Sequence, residues 1–283
     1  MTNLTTELLN EIRDDIKTAL TSKFLYGAVG EDPTAGSPTD TELGIEVFRT
    51  AVDSIDTSVS NKFTASLFVP TTAANGYTVS EVGWFLNAVT DVDTCDTISG
   101  WTDSTDMTIT LNSSTFQEGT GAINLTKDGS TVTTASTTKD TASIDFTGLK
   151  LNSHFYFVDQ TLIDLLETTD AITIRFGSDS SNYYQWTRDK ADLNVGWYAF
   201  EGLNSANADS TTGTPVETAM DYFYVAIEVA SSASTWADGD LIIDHIRALG
   251  GDIYFRTPPI PIPKTNTINL FLDTTLTITV SES

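Results

Sequence analysis

Val79-Ser-Glu-Val-Gly-Trp-Phe-Leu-Asn-Ala88 runs as an apolar strand toward a turn, and Gly250-Gly-Asp-Ile-Tyr-Phe-Arg256 opens on a glycine turn and resumes as an apolar strand. Joined directly, the two would form an ordinary β-hairpin. They are separated by residues 91–249, a stretch of different character. Loop tips of small polar residues are where insertions are tolerated, so the chain reads as a small host module, 1–90 with 250–283, split by an inserted domain, 91–249. The expected fold class is mainly β: an N-terminal amphipathic helix and a small β-module split by an inserted β-sandwich of the jelly-roll kind.

A chain of 283 residues, 40% hydrophobic and 10% aromatic, can bury two cores. Lys+Arg 14 against Asp+Glu 39 gives a formal charge of -25, spread along the chain. Such a surface disfavours nucleic acid and anionic membranes, both of which need a positive patch. It suits work in concentrated salt, where self-repulsion is screened, and a halophilic source is the expectation. Cys95 is the single cysteine, which excludes an intramolecular disulfide framework and a thiolate metal cluster. Met1-Thr-Asn-Leu-Thr-Thr lacks a basic and an apolar leader region, and no run of about 18 apolar residues occurs, so a soluble chain without secretory signal or membrane insertion is expected.

From Leu4 to Leu20, apolar residues recur at spacings of three and four (Leu8, Leu9, Ile12, Ile16, Leu20), predicting an amphipathic helix with Thr5 or Thr6 as cap. Its apolar stripe must cover a sheet or a neighbouring subunit. Strands are expected over 23–30, 46–53 and 61–69, the last with Phe63, Ala65, Leu67 and Val69 inward, and Asn75-Gly76 is a turn. Thr257-Pro-Pro-Ile-Pro-Ile-Pro263 cannot ladder and must lie extended at an edge, before an alternating strand through Ile268, Leu270, Leu272, Leu276, Ile278 and Val280.

The ordered set Gly27-Ala-Val-Gly30, Pro33-Thr-Ala-Gly, Thr39-Asp-Thr-Glu-Leu-Gly44, Glu46-Val-Phe-Arg49, Asn75-Gly76, Ser80-Glu-Val-Gly-Trp-Phe85, Ile253-Tyr-Phe-Arg256 and Ile262-Pro-Lys-Thr-Asn-Thr-Ile268 resembles the attachment module of tailed-virus tail-fibre and baseplate-appendage proteins. That resemblance implies a virion structural protein, assembled in the host cytoplasm. Such appendages commonly carry their effector after the module, whereas here it interrupts a hairpin, which leaves a capsid turret as open as a tail fibre.

The insert offers about nine short strands, at 108–111, 122–126, 142–146, 154–158, 171–176, 183–187, 196–200, 222–229 and 241–246, with a helical turn at 162–167. Glu118-Gly-Thr-Gly-Ala-Ile-Asn-Leu, Ile174-Arg-Phe-Gly and the closing Leu241-Ile-Ile-Asp-His-Ile-Arg247 resemble the jelly-roll sandwiches of the carbohydrate-binding-module and laminin-G-like superfamily. The resemblance implies one structural calcium ion between early and late strands, at the places of Glu118 and Asp244 with Asp96 nearby. Calcium takes six to eight oxygens, so backbone carbonyls and water would complete the shell.

Sugar rings stack their C–H faces on aromatic side chains and give hydroxyl hydrogen bonds to flanking polar groups. Tyr183, Asn182 and Arg175, close to Tyr184, Gln185 and Trp186, supply that mixture. Strand alternation places Tyr184 and Trp186 opposite Tyr183 and Gln185, so one pair belongs to the core. Trp236, in a loop of small polar residues, is the aromatic expected to be exposed, and Trp101 the next. The chain carries no Gly-x-Ser-x-Gly elbow, His-Glu-x-x-His, P-loop or dinucleotide fingerprint, and it reads as a non-enzyme. The expectation is a virion surface appendage, homo-oligomeric and in contact with other virion proteins, whose sandwich binds a host-surface glycan or glycoprotein. The alternative is a purely architectural protein whose sandwich makes subunit contacts.

Overall fold

The computed structural model describes residues 6–34, 37, 40–86, 89–251, 253–256 and 261–278. Thr5, Asn87, Ala88, Asp252, residues 257–260 and Val280, which enter the expectations above, lie outside the described residues. Two compact units form: Met1–Val89 with Gly251–Ser283, and Thr90–Gly250. Unit 1 begins with α1 (Thr6–Thr21), β1 (Tyr26–Gly30), β2 (Glu46–Ala51), β3 (Ser54–Asp56), β4 (Lys62–Val69), β5 (Thr78–Val79) and β6 (Glu81–Phe85). Next come β7 (Val89–Asp93), β8 (Trp101–Asp103), β9 (Met107–Asn112), β10 (Ala122–Lys127), β11 (Thr134–Ile144), β12 (Leu149–Phe157), α2 (Gln160–Leu165), β13 (Ile172–Asp179), β14 (Asn182–Arg188), β15 (Gly196–Leu203), β16 (Ser210–Thr212), β17 (Met220–Glu228) and β18 (Leu241–Gly250). Unit 1 resumes with β19 (Ile253–Arg256), β20 (Ile262–Pro263) and β21 (Leu270–Thr277).

Across the seam, β6 and β19 are antiparallel neighbours, Phe85 facing Ile253 and Gly83 facing Arg256, in a sheet of order β19-β6-β1-β2. A second sheet, β21-β4-β3, puts Phe63, Ala65, Leu67 and Val69 of β4 inward, as alternation demands. Phe24 stacks on Trp84 at 5.9 Å and meets Phe63 edge-on at 5.1 Å. On β21, Leu270 is buried and Leu272 and Leu276 half-buried, while Ile268, expected to alternate with them, is exposed.

Short motifs far apart in sequence meet at Glu81. Its carboxylate accepts the backbone N–H groups of Asp32, Gly44 and Ile45 and lies 2.7 Å from the Arg256 guanidinium. Gly30 is required by this contact: a Cβ there would come within 2.2 Å of Glu81 Oε1 and 2.4 Å of the Ile45 carbonyl. Lys264 of the Pro-Lys-Thr-Asn run is buried, its Nζ donating to Asn75 Oδ1 at 3.3 Å and its carbonyl accepting from Gly76.

The helix α1 leaves much of its apolar stripe uncovered. Leu8 is 40% and Ile16 37% exposed, and the buried residue on the helix is Lys17, whose Nζ donates to the Thr57 carbonyl. No helix among the described residues is long and apolar enough to cross a membrane.

Unit 2 is a β-sandwich. One sheet has the order β15-β12-β18-β10-β9, with β7 on β18; the other runs β16-β14-β13-β17-β11-β8. Between them lie Phe155, Phe157, Phe200, Leu241, Ile243 and Ile246 from the first sheet, facing Ile172, Ile174, Phe176, Trp186, Phe223 and Val225 from the second. Four strand assignments differ from expectation. The threonine-rich run 134–141, too polar to read as a strand, is the first part of β11, because Ala135, Thr137 and Lys139 alternate inward between β17 and β8. The short edge strands β7, β8 and β16 have no extended apolar pattern and carried no strand signal.

Candidate functional site

The sheet containing β13, β14 and β17 sorts its residues by alternation. Ile174, Phe176, Trp186, Phe223 and Val225 turn to the core, so Arg175, Gly177, Tyr183, Gln185, Tyr222 and Tyr224 occupy the opposite, outer face. Pairing then brings them together: Arg175 stands opposite Gln185 on one side and Tyr224 on the other, while Gly177 stands between Tyr183 and Tyr222. The Arg175 Cζ lies 4.7 Å from the Tyr183 ring centre and 4.4 Å from that of Tyr224. Its Nε donates to Gln185 Oε1 at 2.8 Å. Each cation–π contact is worth about 0.5–1 kcal/mol at a partly exposed site. Tyr183 and Tyr222 approach with ring centres 6.5 Å apart. All five side chains are half-buried. Burial raises the Tyr222 phenol above its ordinary value, against the opposing charge of Arg175. Beside Tyr222 a hollow of about 490 Å³ opens, lined by Asp140, Asp179 and Asp221 among others. The face thus joins aromatic surface, hydroxyls, an amide, a guanidinium and carboxylates.

Of the residues expected to bind ligand, the structure unites Arg175 and Tyr183 on this face. Asn182 is the first residue of β14 and braces the loops beside it: its amide donates to both Asp179 oxygens, and its Oδ1 accepts the Thr214 N–H. Trp236 is not exposed. It is 7% accessible, its backbone N–H donates to the Lys127 carbonyl, and its indole N–H donates to the Leu125 carbonyl at 2.6 Å. Its loop folds back on β10 because an indole there covers apolar surface and satisfies strand carbonyls that would otherwise be buried unpaired. Trp101 is 9% accessible and packs edge-on against Phe223, so it too belongs to the core. Tyr222 and Tyr224 were missed. Their signal is the alternation Tyr222-Phe-Tyr-Val225, which gives two polar-tipped rings to one face once Phe223 is assigned inward.

The three carboxylates expected to hold calcium lie near one another but are engaged otherwise. A bulge in β18, where His154 pairs with Asp244 and Asn152 with Arg247, shifts the register and gives His245 a φ of 46°. Asp244 and Arg247 therefore share the face away from the core. Asp244 Oδ2 accepts the N–H groups of Gln117 and Glu118, at 2.7 and 3.0 Å. Glu118 pairs with the Arg247 guanidinium and with His245 Nδ1, and His245 Nε2 lies 3.1 Å from Asp91. Asp96 Oδ1 accepts from Thr120 N, Thr120 Oγ1 and Gly121 N. Among the described residues no group of three or more His, Cys, Asp or Glu is placed to hold a metal. The donor set does not fit calcium, because two cationic side chains already face Glu118 and backbone N–H groups, which repel a cation, occupy Asp244 Oδ2 and Asp96 Oδ1, leaving the buried Asp244 Oδ1 without a hydrogen-bond partner among the described residues.

Electrostatically this cluster is unusual. Burial pushes Asp244 up to about 7, against the Glu118 N–H and the His245 charge. Burial and Arg247 push His245 down, but Glu118 and Asp91 outweigh them and its pKa ends above the ordinary imidazole value. Burial raises Glu118, and Arg247 and His245 more than offset it, leaving it below the usual carboxylate value. His154, fully buried near those cations, is held far below its ordinary value and is neutral.

No protein-family model and no curated protein matches the sequence. Among solved structures the chain is similar to a family 11 carbohydrate-binding module from Clostridium thermocellum in complex with a β-1,3-1,4-mixed-linked tetrasaccharide, at 12% identity and TM-score 0.41, over 57% of this chain and 95% of that one. It is similar to a structure of carbohydrate-binding modules from the β-sandwich superfamily, at 11% identity and TM-score 0.38, over 80% and 85% of the two chains. It is also similar to an exo-β-agarase, at 12% identity and TM-score 0.38, over 57% of this chain and 25% of that one.

Proposed function

We propose that unit 2 is a carbohydrate-binding β-sandwich whose ligand lies on the outer face of β13, β14 and β17. The observation that supports this is the cluster of Tyr183, Tyr222 and Tyr224 around Arg175, with Gln185 beside it. None of these five is needed by the core, yet three large rings are held half-exposed on one sheet face, where stacking to sugar C–H faces and hydrogen bonding to sugar hydroxyls are both available. Affinity electrophoresis of the full chain in gels carrying soluble polysaccharides tests it. Retardation by at least one polymer, reduced roughly 5–30-fold in affinity by Tyr224→Ala, is the expected result, since a stacked ring contributes about 1–2 kcal/mol. A Tyr224→Ala chain that binds as the parent does would sink the assignment.

In its finer form the proposal places the chain on a tailed-virus particle, seated by unit 1, with the sandwich meeting glycan or glycoprotein of the host surface. The motif set of unit 1 supports this form, and mass spectrometry of purified particles tests it. A second reading, contact among copies of the chain, is favoured by the exposure of Leu8, Ile16 and Phe271, the last 74% accessible and packed on Phe68 at 4.9 Å.

A further inference from the structure

We infer that the ligand of the Arg175 face carries an anionic group, a carboxylate or a sulfate on a sugar ring, seated against the Arg175 guanidinium; this rests on the carbohydrate-binding function proposed for unit 2. With 39 acidic side chains for 14 basic ones, a cation in this chain has carboxylates in surplus. Arg49, Lys127, Lys139, Arg247 and Arg256 each stand within 4 Å of one. Arg175 does not. Among the described residues its contacts are the Gln185 amide oxygen on Nε and the two tyrosine rings, and neither Nη has a hydrogen-bond partner.

The consequence is a guanidinium fixed in place by neutral groups, with its two-nitrogen edge left over. Rotamer freedom has already been given up to Gln185 and the rings, so a carboxylate or sulfate can be met bidentately at little further entropic cost. The phenol hydroxyls of Tyr183, Tyr222 and Tyr224 are O–H donors of the kind that complete an anion's shell. A neutral sugar needs no such cation, because amides and hydroxyls suffice for hydroxyl recognition. The hollow beside Tyr222 sets the register: the carboxylates of Asp140, Asp179 and Asp221 accept hydroxyl hydrogen bonds and repel a second anion. The ligand class that fits is therefore an acidic sugar residue next to neutral ones.

The test uses matched polymers and the full chain: polygalacturonate against its methyl ester, and dextran sulfate against dextran, in about 1 M salt, where a Debye length near 3 Å screens the distant carboxylates. The expected result is binding roughly 10-fold or more tighter for one acidic member than for its neutral partner, with the preference abolished in Arg175→Gln and partly kept in Arg175→Lys. Equal binding of both members of each pair would overturn the anionic ligand and leave carbohydrate binding standing. An acidic preference that survives in Arg175→Gln would overturn the role of Arg175. Absence of binding to all four polymers, with folded protein verified by circular dichroism, would overturn both.

Discussion

Arg256 Nη2 lies 2.7 Å from Glu81 Oε2, joining the two strands between which the chain leaves unit 1 and returns to it. Glu81 is buried and Arg256 half-buried, and Arg256 also reaches Asp32 and Asp40. Burial raises Glu81 above the usual carboxylate value, while its backbone N–H partners and Arg256 act in the other direction. Removing one member of such a pair leaves an uncompensated buried charge. Arg256→Met is expected to destabilise unit 1 by about 3–5 kcal/mol. Urea unfolding of the full chain, followed by a probe in unit 1, checks this; an unchanged midpoint would mean that Glu81 is satisfied by its three N–H donors alone.

Gly30→Ala tests the same hub from the other side. The new methyl would strike a backbone carbonyl as well as the Glu81 carboxylate, so the neighbours cannot simply swing away. A loss of about 1–3 kcal/mol in the same unfolding experiment is expected.

The charged cluster behind β18 makes unit 2 sensitive to alkali. A carboxyl whose pKa is higher folded than unfolded holds its proton more tightly in the native state, so the stability contributed by Asp244 is full below its ordinary value of 3.8 and is lost as pH rises to about 7. His245, raised above 6.5, extends the loss past neutrality. Glu118 runs the opposite way: lowered from 4.5, it contributes above that value and its contribution is lost on acidification. Unit 2 is accordingly expected to be most stable at about pH 5 and to lose on the order of 1–3 kcal/mol by about pH 8. Melting temperatures across that range measure it. In Asp244→Asn, whose amide oxygen can still accept the Gln117 and Glu118 N–H groups, the decline between about pH 5 and 7 should flatten, and an undiminished slope would point to another group.

Trp236 and Tyr224 should separate stability from binding. Trp236→Ala removes a buried indole and its hydrogen bond to Leu125, and should cost about 3–5 kcal/mol. Tyr224→Ala removes a half-exposed ring and should cost under about 1 kcal/mol while impairing any polysaccharide binding. Denaturant midpoints and affinity gels, measured on both variants, should show opposite patterns.

Leu8→Glu and Phe271→Ser touch exposed apolar groups, so the melting temperature should hardly change. If copies of the chain associate through them, sedimentation equilibrium should report a smaller mass for the double variant than for the parent.

Much of the fold was legible because periodicity reports burial. The alternation of Phe63, Ala65, Leu67 and Val69 and the apolar runs of β13, β17 and β18 fixed strands and inward faces, while Gly250, expected in a turn, is the last residue of β18. The site was legible only in part. Arg175 and Tyr183 could be singled out from one hairpin, but Tyr224 joins them through pairing between β13 and β17, strands distant in sequence. Trp236 was misread because a polar loop predicts exposure on average, whereas this loop folds back on a central strand. Asp244 and Asp96 take backbone N–H groups of the segment 117–121 that carries Glu118; what the sequence hid was the bulge that brings His245 and Arg247 to the same place.

The chain enters the sandwich on β7 and leaves it on β18, and those two strands pair with each other, just as β6 and β19 pair in the host. Each unit thus presents its two connecting ends as neighbouring strands. A short turn would close the host without its cargo, and a linker would give the cargo new termini without it. One genetic exchange at a single locus can therefore replace the sandwich while the contacts inside unit 1, Glu81 with Arg256 included, are inherited unchanged.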